Sequence, residues 1–125
     1  MGRRVNPHSL KTKIITPGIE ETRDFYTGLF GLVVAEEWDE PGDRGCILAF
    51  PDGKDEAFIE ILHGEARSEY GGLSLQLRTA DLDGFAAGLP PELARRGPVE
   101  RPWGSRYLYL TDPNGIDIVV FEGGL

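Results

Sequence analysis

The chain is poor in cysteine, histidine and bases, and each scarcity removes a class of explanation. A single cysteine, Cys46, allows no intrachain disulfide and no cysteine-based metal knuckle, so stability has to come from packing. The 13 Lys and Arg are outnumbered by 21 Asp and Glu, which gives a formal net charge of −8. Nucleic acid is therefore excluded as an expected partner, because phosphate backbones are met by clustered bases. No apolar run approaches the roughly 18 residues of a membrane span, and the start of the chain lacks the apolar stretch of a signal peptide. The expectation is no membrane partner and a cytoplasmic address. No glycine-rich phosphate loop, nucleophile elbow or Ser-His-Asp arrangement occurs, so nucleotide-dependent and acyl-enzyme mechanisms find no support.

What is present suits one compact domain: 125 residues, 40% of them hydrophobic and 10% aromatic. The acids are concentrated between residues 14 and 69, with an acidic stretch, Glu36-Glu37-Trp38-Asp39-Glu40 and Asp43, around one tryptophan. Apolar alternation predicts strands near 10–16, 32–38, 45–50 and 57–62, and again near 73–79, 98–102, 105–111 and 116–122. Each strand carries an aliphatic face and a mixed polar and aromatic face. Helices should cover the first, leaving the second to line a cleft.

A helix is predicted over about 18–30, with Thr16-Pro17 as cap and first residue and Gly31 as its stop. A second begins after the N-cap Asp81, is interrupted by Pro90-Pro91, and takes a further turn through Arg96 before Gly97-Pro98 ends it. These elements repeat as two βαβββ modules, about 10–69 and 70–125, joined near Ser68-Glu69-Tyr70-Gly71-Gly72. The turns Phe50-Pro51-Asp52-Gly53 and Asp112-Pro113-Asn114-Gly115 precede the two closing strands. The fold class is thus α+β, a cupped mixed sheet with helices on its outer face. A flexible tail, 1–9, precedes the domain.

At this point the sequence resembles the vicinal oxygen chelate superfamily of glyoxalases, bleomycin resistance proteins and extradiol dioxygenases. The resemblance is carried by Asp24-Phe25-Tyr26-Thr27-Gly28-Leu29-Phe30-Gly31-Leu32, by Asp112-Pro113-Asn114-Gly115 and by the repeat. It implies a divalent metal held by His, Gln or Glu from the first and fourth strands of each module, at positions that fall here on Lys11, Glu60, Ser74 and Val119. Only Glu60 is a competent ligand, so no metal and no cofactor are expected. Asp117 or Glu122 in place of Val119 is the route by which a metal site is rebuilt in the alternative reading.

Two groups of residues remain as site candidates. Lys11 and Glu60 are expected to form an ion pair that replaces the metal as a structural link; in the sharper reading, Glu60 is a catalytic general base. The second group, Gln76, Arg78, Tyr107, Tyr109 and Asp117, lies on the non-helical face and offers a guanidinium fork with rings to stack on. Trp38 and Trp103, at the ends of corresponding strands, are candidate ligand-stacking residues. His8 and His63 read as surface residues, Cys46 as an inert buried thiol and Arg106 as an exposed edge residue. The resemblance is strongest to the bleomycin-resistance branch, which implies a homodimer that binds a small organic molecule without metal and sequesters a cationic drug, a charge that the acid-rich first half also favours. The alternative is a lyase, isomerase or epimerase that uses Glu60 as its base.

Overall fold

The computed structural model describes residues 6–52, 55–66 and 69–125. The predicted tail thus lies partly outside the described residues, as do Gly53 of the first predicted turn and Ser68 of the predicted joint. The chain divides into two compact units, Met1–Arg67 and Ser68–Leu125, and each repeats one βαβββ order, so the fold is α+β.

The first unit runs β1 (Leu10–Thr16), α1 (Ile19–Phe30), β2 (Val33–Glu40), β3 (Asp43–Ala49) and β4 (Ala57–His63). Its sheet has the order β1-β4-β3-β2, with β1 parallel to β4 and the other pairs antiparallel. Ile14, Cys46, Leu48, Ile59 and Ile61 share one parity and pack with Ile19 and Tyr26 of α1 as the buried core. The helix starts later than the Thr16-Pro17 signal suggested. Thr16 is buried, and its hydroxyl accepts the Gly18 N–H at 3.0 Å, so it organises the turn ahead of the helix. Gly31 ends α1 at φ 69°, a left-handed conformation that glycine adopts without a Cβ clash.

The second unit runs β5 (Ser74–Arg78), α2 (Leu82–Ala87), β6 (Arg96–Glu100), β7 (Arg106–Thr111) and β8 (Asp117–Glu122), with sheet order β5-β8-β7-β6. Leu82, Leu108, Leu110, Ile118 and Val120 form its helix-side core. Asp81 caps α2 as expected, accepting the Gly84 N–H at 3.0 Å. Here the structure corrects the sequence reading. The helix ends at Ala87, before Pro90-Pro91, and Arg96 opens β6 in register with Tyr109 instead of closing a helical turn. Two successive prolines remove both the donors and the φ freedom that a continued helix needs. Gly97-Pro98 falls inside β6, at a bulge between Arg96 and Val99.

Candidate functional site

In each unit the strand parity that faces away from the helix gathers the predicted polar residues. On the first sheet one register row reads Lys13, Glu60, Ile47, Glu36. Glu60 is nearly buried, and its two carboxylate oxygens face two ammonium groups, Lys11 Nζ at 3.0 Å and Lys13 Nζ at 4.0 Å. The expected Lys11–Glu60 pair is therefore present, with Lys13 as a second cation. Trp38 is committed locally as well. Its indole lies over Gly45, where a Cβ would come within 2.7 Å of the ring, and its Nε1–H donates to Asp43 Oδ1 at 2.8 Å.

A smaller depression, about 300 Å³, lies beside α1 and is bordered by Arg23, Glu37, Trp38, Arg44 and Cys46. Its charges are paired: Arg44 with Glu20, and Arg23 with Glu37 at 3.6 Å. Burial pushes the Cys46 thiol up, so it is a poor thiolate source at neutral pH.

The second sheet is built differently. Its corresponding row reads Gln76, Val119, Tyr109, Arg96, flanked by Ser74, Asp117 and Thr111 on one side and by Arg78, Phe121, Tyr107 and Val99 on the other. Adjacent strands stand about 4.8 Å apart, so the row spans roughly 14 Å from Gln76 to Arg96. Over it lies an open depression of about 670 Å³ whose lining includes Ser74, Gln76, Arg95, Arg96, Tyr107, Tyr109, Thr111, Asp117 and the floor residue Val119. Four predicted residues, Gln76, Tyr107, Tyr109 and Asp117, are thus brought together. Trp103 and Arg78 are near neighbours outside the lining. Trp103 sits in the turn after β6 rather than on a strand, half exposed, with its ring edge-on to Tyr107 at 5.9 Å. Arg78 donates to the carbonyl of Gly123. Lys11, Glu60 and Trp38 belong to the other unit.

Arg95, Arg96 and Arg101 were missing from the predicted set. Arg95 binds the carbonyls of Leu93 (3.1 Å), Ala86 (3.4 Å) and Pro90, and so closes the end of α2. The Arg96 guanidinium stacks on the Tyr109 ring, 3.9 Å from its centroid. Arg101 lies 5.0 Å from the Trp103 ring and 5.5 Å from that of Tyr107. A signal for Arg96 existed in the sequence: the Pro90-Pro91 stop frees the residues before Gly97-Pro98 to start a strand.

Arg106 turns to the helix side, where it binds both Asp83 oxygens at 3.0 Å and Glu122 at 2.9 Å. That hydrogen bonding holds the Asp83 carboxyl below the usual aspartate range and raises Arg106. Glu122 also accepts the Leu82 N–H at 3.0 Å. It therefore stands on the opposite face of β8 from Asp117, and the two do not combine.

The sequence matches the model of the glyoxalase/bleomycin resistance protein/dioxygenase superfamily over residues 8–120. The chain belongs to this superfamily. Among solved structures it is similar to the antibiotic binding protein TnmS3 from Streptomyces sp. CB03234, at 25% identity and TM-score 0.79, covering 98% of this chain and 100% of that one. A glyoxalase/bleomycin resistance protein from the same organism shares 26% identity at TM-score 0.63, over 87% and 97% of the two chains. The fosfomycin resistance protein FosX from Listeria monocytogenes, 14% identical with TM-score 0.75 over 98% and 97%, shares the fold. No curated protein matches the chain in sequence.

The residues at the superfamily's metal positions do not fit a divalent cation. An ammonium already occupies the Glu60 carboxylate, Val119 offers no donor, and Ser74 is a weak neutral one. Among the described residues, no three His, Cys, Asp or Glu side chains converge. Nor, among them, is any helix long and apolar enough to cross a membrane.

Proposed function

We propose that this superfamily member binds a small organic molecule on the helix-free face of its second unit, independently of metal, and that drug sequestration is the use of that binding. The carrying observation is the 670 Å³ depression, a volume within the usual range of ligand sites, with an apolar floor, two tyrosines and a few convergent polar groups. Similarity to an antibiotic binding protein supports a drug-like ligand. Glu60 as a catalytic base is the weaker reading, because a base needs a lone pair turned to substrate and both Glu60 oxygens face ammonium groups.

A homodimer belongs to the same proposal, since the first sheet has β1 and β2 as its terminal strands and their Leu10, Val33 and Val34 are exposed. Light scattering reads it, and a monomer at micromolar concentration refutes it.

The site itself is tested by a thermal-shift screen of antibiotics and small metabolites. A ligand at about 100 times its Kd stabilises the native chain by about 2.7 kcal/mol. The shift should fall in Tyr109→Ala and survive Glu60→Gln. A ligand whose shift is indifferent to Tyr109→Ala places binding elsewhere, and turnover abolished by Glu60→Gln restores the enzyme reading.

A further inference from the structure

The second unit contains five arginines, and they divide by what they hold. Arg78 and Arg95 donate to backbone carbonyls, and Arg106 is neutralised by Asp83 and Glu122. The guanidinium groups of Arg96 and Arg101 have no carboxylate or carbonyl partner among the described residues; each is placed against aromatic rings instead. Arg101 Nε is buried without a hydrogen-bond partner among the described residues. In a chain of net charge −8, the uncommitted cations of this unit thus gather on one face, beside its depression. The only carboxylate among the lining residues is Asp117, two strands over from Arg96 and one same-face step along, on the order of 12 Å away.

From this we infer that the ligand of the second unit is an organic anion with a flat conjugated body, its carboxylate or phenolate received by the Arg96 guanidinium. The inference rests on the binding reading above and adds the charge class of the ligand, the reverse of what an acidic chain suggests. The physical reason lies in how guanidinium uses its surfaces. Stacking on Tyr109 engages a face of the plane, whereas all five N–H bonds lie in the plane and point outward from its rim. The ring therefore fixes the orientation of the fork without consuming a donor, and a carboxylate can take two parallel N–H bonds at once. The flat body then extends along the row over Val119 toward Gln76, whose amide offers both a donor and an acceptor to a polar far end. Asp117 at the opposite edge rejects a ligand whose negative charge is placed the wrong way round.

A matched trio of probes reads the charge preference: 2-naphthoate, 2-naphthamide and 2-naphthylmethylammonium share one ring system and differ in charge. Titrated into the full chain by calorimetry, with amide shifts at Gln76, Tyr109 and Val119 locating the site, naphthoate should bind tightest and the ammonium weakest. Arg96→Gln should weaken naphthoate about tenfold, the effect of one charge-assisted pair at a solvent-exposed position, and leave the naphthamide within about twofold. Naphthoate binding to the unmutated chain should also weaken as salt is raised, a check that needs no variant. If the ammonium binds as well as the carboxylate, or Arg96→Gln weakens all three alike, the anion inference is overturned while the face remains a binding site. If none of the three binds, the reading of the face falls with it.

Discussion

The same register row can be followed across both units, and it carries opposite chemistry in each. In the first it reads Lys13, Glu60, Ile47, Glu36; in the second, Gln76, Val119, Tyr109, Arg96. The first row places a charge in the middle of the sheet and satisfies it from the neighbouring strand, which leaves little for a ligand to do. The second places an apolar residue in the middle and a cation at the rim, stacked on a ring but not neutralised. A duplicated βαβββ frame thus keeps its helix-side core in both copies, where aliphatic packing sets the fold, and lets the other face diverge. Charge pairing on the face turned from the helix marks the structural copy, and unpaired donors over aromatic rings on that face mark the copy proposed to bind.

The largest expected effect tests whether the cores are equivalent. Ile61 and Ile118 are fully buried on the central strands of their units, and Ile61→Ala and Ile118→Ala should each cost about 2–5 kcal/mol in urea unfolding. A loss below about 1 kcal/mol in one of them breaks the equivalence. Next comes the charge pair of the first row. Lys11→Met leaves a nearly buried carboxylate with only the more distant Lys13, and about 1–2 kcal/mol is expected, discounted because the lysine is half exposed. The double variant Lys11→Met with Glu60→Leu should recover most of that loss, since an uncharged pair has no desolvation to repay. If the double variant is less stable than the single, Glu60 has a structural partner beyond the two lysines.

The smallest effect concerns Arg106 and the pH. Its hydrogen bonds hold the folded Asp83 carboxyl below aspartate's ordinary 3.8, so the interaction stabilises fully above that value and is lost as pH falls through the depressed folded one. Arg106→Gln should therefore lower Tm modestly at neutral pH, and the difference from the parent should shrink on acidification below about 3.8 and with added salt. A difference that widens as pH falls contradicts the assignment.

The order of elements, the α+β class and the helix-side core follow from the sequence alone. Alternation at period two, the Gly31 stop and the Asp81 cap are local signals, and local backbone geometry is what they report. The Lys11–Glu60 pair was legible for the same reason, because two opposite charges at matching strand parity in an adjacent pair have few other partners. What only the tertiary structure decided is how the second unit's arginines are shared out. Arg78, Arg95, Arg96, Arg101 and Arg106 carry the same group on the same flexible stem, and nothing in their spacing says which reaches a carbonyl, a carboxylate or a ring. That choice depends on where α2 stops, on the bulge that sets Arg96 beside Tyr109, and on which side of β7 Arg106 emerges. Long side chains reach across strands, so their partners are fixed by distances in the folded sheet rather than by neighbours along the chain.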